Sequence, residues 1–446
     1  MADLGSTATL AAFVDDLTPQ GIPADVEHMA RLCILDWIAC ASAGATIPET
    51  RKLREVVFQG SADGASSLVG GGTCDALGSA LHNAYASHVL EYDDTHPGAF
   101  THITAPVLAA ALAVAEERDS TLQDLVVAFV AGYETAARLG ILLGKSMFEV
   151  HKVHPTGFLG YLGAAAAAGK LLRLPKDRIA SALGIAGIQA GGLLESIGTM
   201  SEGYCAAHGS QGGVMAARLA LAGFEGPTTV IEGGAGVFAA FGVPLDTDLG
   251  SSRFEMRRNE FKLYPTCGFI QPALDAVLGA RESWQSVDPR GKLALAIRLW
   301  TPAADLVDTP RPTTTTEARF SAQFCAAVAW LDGYLDNSQF TEERLHDRDV
   351  ISVMQCIVIE RDDTMNRHQA RITLSDSMRT MERFATNEGH PPSEAAIVDK
   401  FVRQAGKFYG ATSVRAVARA ILDSNQYSVV ELLAPTRSSY EWISVT

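Results

Sequence analysis

Hydrophobic side chains change their period twice along this chain, and that switch limits the possible folds more than any other feature. Through roughly the first 260 residues they recur at helical spacing, from about 290 they alternate every second residue, and from Glu394 the helical spacing returns. Val26, Met29, Ala30, Cys33 and Trp37 share one helical face just after Pro23, a residue suited to a helix start. Leu81, Tyr85, His88 and Tyr92 form a second such face, and stretches in 105–117, 121–143 and 157–173 read as further helices. In KLALAIRLW, by contrast, Leu293, Leu295, Ile297 and Leu299 alternate as in a strand. MQCIVIERDD and the segment holding Ala370, Ile372 and Leu374 suggest two more strands, after which EAAIVDKFVRQAGKFY is helical again. The pattern predicts a mainly α protein. A large all-helical domain, residues 1–262 plus 401–446, would carry a smaller inserted α+β domain, residues 263–400.

Composition narrows the function. With 47% hydrophobic and 20% charged residues the chain can bury a sizeable core, and its net charge is −15. Such a surface repels nucleic acid and anionic membranes, so neither is an expected partner. An anionic substrate would need local positive charge set against that field. The 7 cysteines are scattered and include no C-x-x-C pair, which predicts free thiols in a reducing compartment. MADLGSTATLAAFVDD lacks the basic start of a signal peptide, and no uninterrupted apolar run reaches the ~18 residues of a membrane span. A cytoplasmic protein is expected.

Four stretches carry the polar chemistry. The first, HVLEYDDTHPGAFTHITAP at 88–106, crowds acids and histidines around a Pro97-Gly98 helix break. Thr104-Ala105-Pro106 reads as an N-cap with proline in the following turn, which puts His102 just ahead of a helix start. A helix N-terminus attracts a carboxylate and favours neutral imidazole, as a general base requires. A solvated helix end with capping acids is one rival reading. Metal ligation is another, but the spacing fits no H-E-x-x-H or cysteine-based pattern, and no metal is expected. His88, sharing a face with Leu81 and Tyr85, reads as a core histidine.

In the second stretch, HKVHPTGFLGYLG, His154 stands at another helix start. Gly157, Gly160 and Gly163 follow in a helix of small residues, each costing about 1 kcal/mol against alanine, which suggests close packing of another backbone. The third, SEGYCAAHGSQGG from Ser201, has no phosphate-binding glycine spacing. The fourth, FKLYPTCGFIQPALDAVL, places Lys262 and Tyr264 beside a Pro-Thr-Cys-Gly turn at the domain junction. The chain has no G-x-S-x-G elbow, and Cys267 lacks a local protease signature.

Taken together, these stretches resemble the MmgE/PrpD family. ILDWIACASAG, EYDDTH, AGYETAARLG, HPTGFLGYLGAAAAAGKLL, FEGPTTVIEGGAGVFAAF, K-x-Y-P-x-C and R-P-x(5)-EARFSAQF carry the likeness, over about 30 to 335. The resemblance implies a helical domain built from both chain ends, an α+β lid, a homodimer, a cleft active site and no cofactor. Its activities include 2-methylcitrate dehydration, cis-aconitate decarboxylation and iminodisuccinate epimerisation. It implies His102, His154, Lys262 and Asp93 as catalytic residues, with Thr95 and Glu91 beside them.

The resemblance also shows departures. A lysine of the decarboxylase and dehydratase branches aligns with Glu202, a histidine with Gln271 and a lid tyrosine with Phe324. Losing three polar groups disfavours elimination, whereas epimerisation needs only removal and return of a proton. The leading expectation is therefore an epimerase of a small di- or tricarboxylate, such as iminodisuccinate epimerase, with a hydro-lyase or decarboxylase as the alternative. Tyr133, Tyr204, His208 and Gln271 are weaker substrate-binding candidates. A metal-dependent hydrolase and an inactive binding scaffold are the rivals from other classes.

Overall fold

The computed structural model describes residues 5–60, 64–247, 249, 253–284, 294–388, 391–410 and 412–437. The chain forms two compact units. One comprises Met1–Val89, Asp93–Phe261 and Glu394–Thr446; the other comprises Leu90–Tyr92 and Lys262–Ser393.

The first unit begins with α1 (Ser6–Asp16), α2 (Ala24–Gly44), α3 (Pro48–Gly60), α4 (Ala76–His88) and α5 (Thr104–Glu117). It continues with α6 (Leu122–Ser146), α7 (Pro155–Leu171), α8 (Lys176–Gly187) and α9 (Met200–Leu221). It is helical as expected apart from one short ribbon, in which β1 (Ser66–Ser67) and β2 (Thr73–Cys74) pair antiparallel between α3 and α4. Local signals set several ends. Thr121 and Asp124 form a capping box on α6, and Asp75 caps α4 by accepting from the Gly78 N–H at 2.7 Å. α4 stops at His88, so Tyr92, predicted on its face, lies beyond the helix.

The small-residue helix α7 is the centre of this unit and packs on α5, α6, α8 and α9. A Cβ on Gly163 would come within 2.6 Å of Val107 Cγ2 and 2.9 Å of the Gly132 carbonyl oxygen. Only a residue without a side chain lets α6 and α7 approach so closely. The segment Leu122–His151 is long and apolar enough to cross a membrane, but 89% of its apolar 18-residue window is buried, as in a core helix.

In the second unit, α10 (Gln271–Ser283) and α11 (Ala322–Asp332) accompany four strands: β3 (Ala294–Leu299), β4 (Ile357–Arg361), β5 (Gln369–Ser375) and β6 (Thr380–Thr386). Their order is β4-β3-β5-β6, with β3 parallel to β4 and the other pairs antiparallel. Ile297 stands opposite Ile359 on one side and Ile372 on the other, so the alternating residues form one buried face. Leu293 lies outside the described residues. β6 was missed because this edge strand is mostly exposed on both faces and shows no alternation to read. α12 (Glu394–Tyr409) then returns the chain to the first unit, seven residues ahead of the boundary expected at 401.

Candidate active site

Two helix ends of opposite polarity meet inside the first unit. His88 is the last residue of α4, where unpaired carbonyls favour a cation. Glu202 lies in the first turn of α9, where unpaired N–H groups favour an anion. The His88 Nε2 lies 2.9 Å from Glu202 Oε1, and its Nδ1 lies 2.9 Å from Asp93 Oδ2. Each carboxylate then meets a second imidazole: His102 Nδ1 is 3.1 Å from Asp93 Oδ2, and His154 Nε2 is 3.2 Å from Glu202 Oε1. The result is a continuous array, His102–Asp93–His88–Glu202–His154.

Local structure fixes the outer members. His154 is the N-cap of α7, and its Nδ1 accepts the Gly157 N–H at 3.3 Å. That bond assigns the proton of the neutral ring to Nε2, facing Glu202. Both His154 nitrogens are thus engaged within the protein. His102 precedes α5, and its backbone N–H donates to Thr156 Oγ1 at 3.1 Å, tying it to the start of α7. Its Nδ1 lies at ion-pair distance from Asp93, which favours a proton on that nitrogen. The His102 side chain is 18% exposed, whereas those of His88, Asp93, His154 and Glu202 are 8% or less. His102 is the member of the array that reaches solvent.

Electrostatics agree with an ionised array. Burial works against charge on Asp93 and Glu202, but the facing imidazoles overcome it and hold both carboxyls far below their usual range. Burial likewise opposes a proton on His88, and the two flanking carboxylates outweigh it and hold His88 well above its ordinary value. Asp94 next door behaves oppositely: burial, reinforced by Asp36, pushes its carboxyl up to about 7. Asp94 Oδ2 accepts from Thr104 Oγ1 and from Asn259 Nδ2, each at 2.7 Å. Thr104 therefore serves Asp94 and is not the helix cap the sequence suggested; Ile103 occupies that position.

Among the described residues, two groups have metal-ligand spacing: His88, His154 and Glu202, and His88, Asp93 and His102, each with donor atoms within 4.8 Å of one another. Both draw on His88, whose two nitrogens already face carboxylate oxygens at hydrogen-bonding distance. Every donor atom in both groups lies within 3.2 Å of another member of the array.

The other sequence candidates lie elsewhere. Tyr133 is fully buried and donates to Asn259 Oδ1 at 2.8 Å, within the Asp94 network. Thr95 pairs through its backbone with Glu260. Tyr204 and His208 stack on each other on an exposed face of α9, and His208 bonds the Tyr161 hydroxyl. None of these four side chains belongs to the array. In the second unit, Lys262 Nζ donates to the Glu91 carbonyl and to Glu91 Oε2, both at 3.1 Å. Gln271 there braces the turn, donating to the Tyr264 carbonyl at 2.9 Å and to Thr266 Oγ1 at 3.0 Å. Phe324, fully buried, packs its ring on Phe340.

Sequence reasoning missed two array members. His88 was read as core because it shares a helical face with apolar residues. Glu202 was read only as a lost lysine. The available signal for both was position: a histidine closing one helix and a glutamate opening another.

A helical unit interrupted by an α+β segment, with buried imidazole–carboxylate pairs, defines a protein equipped for acid–base proton transfer. The chain belongs to the MmgE/PrpD family: the family's N-terminal domain model matches residues 8–248 and its C-terminal domain model residues 264–426. Among curated relatives, cis-aconitate decarboxylase of Aspergillus terreus (strain NIH 2624 / FGSC A1156) is 28% identical over 373 residues, covering 76% of this chain and 75% of the relative. The Homo sapiens enzyme of the same name is 27% identical over 365 residues, covering 77% and 75%. That of Mus musculus is 27% identical over 367 residues, covering 77% and 74%. These relatives are named as decarboxylases, which are lyases. The epimerase expectation finds no support among them, and the lyase alternative takes precedence.

Proposed function

We propose that the chain is a lyase that removes carbon dioxide from a small polycarboxylate, with cis-aconitate the first substrate to try. The reading is supported by the decarboxylase relatives and by one observation above all: the partly exposed His102, backed by Asp93, at the end of a buried array. In the reaction the bond to the departing carboxylate breaks, and its electron pair passes into the system conjugated with a neighbouring carboxylate. Protonated His102 then delivers one proton to carbon from Nε2. Carbon dioxide leaves, one C–H bond forms, and the proton on His102 is replaced from water. Asp93 holds the ring and stabilises its charged form. This adjusts the expectation for His154, whose nitrogens serve the α7 start and Glu202. We assign it to holding Glu202.

One observation favours epimerisation as a second reading. Where the decarboxylase branch is expected to carry a lysine, this chain has an ionised glutamate paired with two imidazoles.

The test is a panel of di- and tricarboxylates, including cis-aconitate, incubated in D₂O with and without EDTA. The lyase reading expects carbon dioxide release with one deuterium gained per product, surviving EDTA. Deuterium exchange into recovered substrate without carbon dioxide would move the assignment to epimerase, and complete loss of activity with EDTA would move it to a metal enzyme.

A further inference from the structure

Neutral imidazole has one N–H donor and one lone pair, so it satisfies one carboxylate and repels a second. His88 faces two, at 2.9 Å from each ring nitrogen, with its side chain fully buried. Two anions on opposite nitrogens, Asp93 hydrogen-bonded to Nδ1 and Glu202 at ion-pair distance from Nε2, favour a ring with two donors, an imidazolium. The carbonyl end of α4 stabilises that charge further.

The consequence reaches His102 through a shared atom. Asp93 Oδ2 is the partner of both His88 Nδ1 and His102 Nδ1, and the two rings stand 4.7 Å apart between centroids. An aspartate alone would bind the proton of His102 tightly. A fixed cation on the same oxygen weakens that pull and adds direct repulsion. We propose that His88 is a positioning residue, a permanent cation that divides Asp93 between two imidazoles and so keeps His102 able to give up its proton. The inference deepens the lyase reading and rests on it for its catalytic meaning, since an acid must release its proton during turnover.

The other ionisable neighbours remain in place when His88 is replaced, and Glu202, which loses one imidazole, keeps its pairing with His154 at 3.2 Å. They are Glu202 and Cys205 on α9, His154 at the start of α7, Asp94 in the segment after α4, and Asp36 on α2 paired at 2.7 Å with Lys400 of α12. A purely structural His88, merely bridging α4 to α9, would predict uniform loss of activity when removed, with no change in how His102 titrates.

The test reads His102 directly. Protein labelled with ¹⁵N-histidine is titrated by NMR without substrate, the His102 and His88 signals being assigned by loss in H102Q and H88Q. In H88Q the His102 midpoint should rise by about one to three pH units. If a carboxylate is turned over, the limb of the kcat profile that requires protonated His102 should move up with it. An unchanged midpoint in folded H88Q overturns the proposal. Should H88Q fail to fold, wild-type protein decides: His88 must show both nitrogens protonated at about pH 9, and a singly protonated ring there overturns it. Because these titrations need no turnover, a wild-type chain inert toward every polycarboxylate removes the lyase reading while leaving the His88 result to stand or fall separately.

Discussion

At the scale of single residues, the proposed chemistry depends on which nitrogen of His102 holds the proton. Asp93→Asn keeps the shape of the site but offers His102 an amide in place of an anion, so the imidazolium loses its stabilising charge and the tautomer is no longer fixed. Turnover should fall by about 10²–10⁴-fold, with KM changed far less. Steady-state kinetics on the active carboxylate would check this, and a kcat within a few fold of wild type would remove Asp93 from the mechanism. His102, His154 and Asp93 were legible in the sequence because each stands next to a chain signal: a Pro-Gly break, a Thr-Ala-Pro start, a His-Pro start. His88 and Glu202 were not, because their meaning comes from each other, and helices α4 and α9 meet only in the folded chain. No local pattern distinguishes a buried histidine between two carboxylates from one packed among leucines.

At the scale of elements, the fold depends on helices brought close and on polar pairs kept dry. Gly163→Ala inserts a methyl where Val107 and the Gly132 carbonyl already crowd the position. Overpacking of this kind should cost about 1–3 kcal/mol, seen as a lower urea midpoint with an unchanged slope. Glycine spacing in α7 announced this packing in advance, since small residues that weaken a helix have to be repaid by contact. In the second unit, Glu91 adopts φ 52°, a left-handed conformation unusual for a side-chain residue. The buried Lys262 holds it there through both its carbonyl and its carboxylate. Lys262→Ala leaves Glu91 buried without that cation and should destabilise by about 3–5 kcal/mol. The protein's denaturant unfolding curve reads the loss. The sequence placed Lys262 beside a boundary turn, but gave no hint of its partner, because Glu91 precedes it by most of the helical unit.

At the scale of the whole molecule, the ionised array makes stability depend on pH in a defined direction. Asp93 and Glu202 lie below their reference values of 3.8 and 4.5 when folded, so their contribution is complete above those values and is lost as pH falls beneath them. His88 lies above its reference of 6.5, so its contribution is complete below 6.5 and is lost only as pH climbs through its raised value. Asp94 acts against them: raised from 3.8 to about 7, it favours the folded state below 3.8 and loses that effect as pH rises to about 7. Thermal melts should therefore show a steep loss below about pH 4, and Asp94→Asn should recover on the order of 4 kcal/mol at pH 8 relative to pH 4. A variant whose melting profile parallels wild type across that range would contradict the Asp94 assignment. The fold at this scale was largely written in periodicity, since helices and half-buried strands bury their faces at different intervals. The ribbon at Ser66–Cys74 and the exposed strand β6 were not, being too short or too solvent-facing to leave a repeat.

The most direct test of the account compares wild type with His102→Gln during turnover of cis-aconitate, or of whichever polycarboxylate proves active, in D₂O. The account predicts one deuterium in the product for each carbon dioxide released by wild type, and a fall of at least about 10²-fold in that rate for a folded H102Q. Wild-type rates in H102Q would contradict it, because the proton would then be reaching carbon from somewhere other than the array.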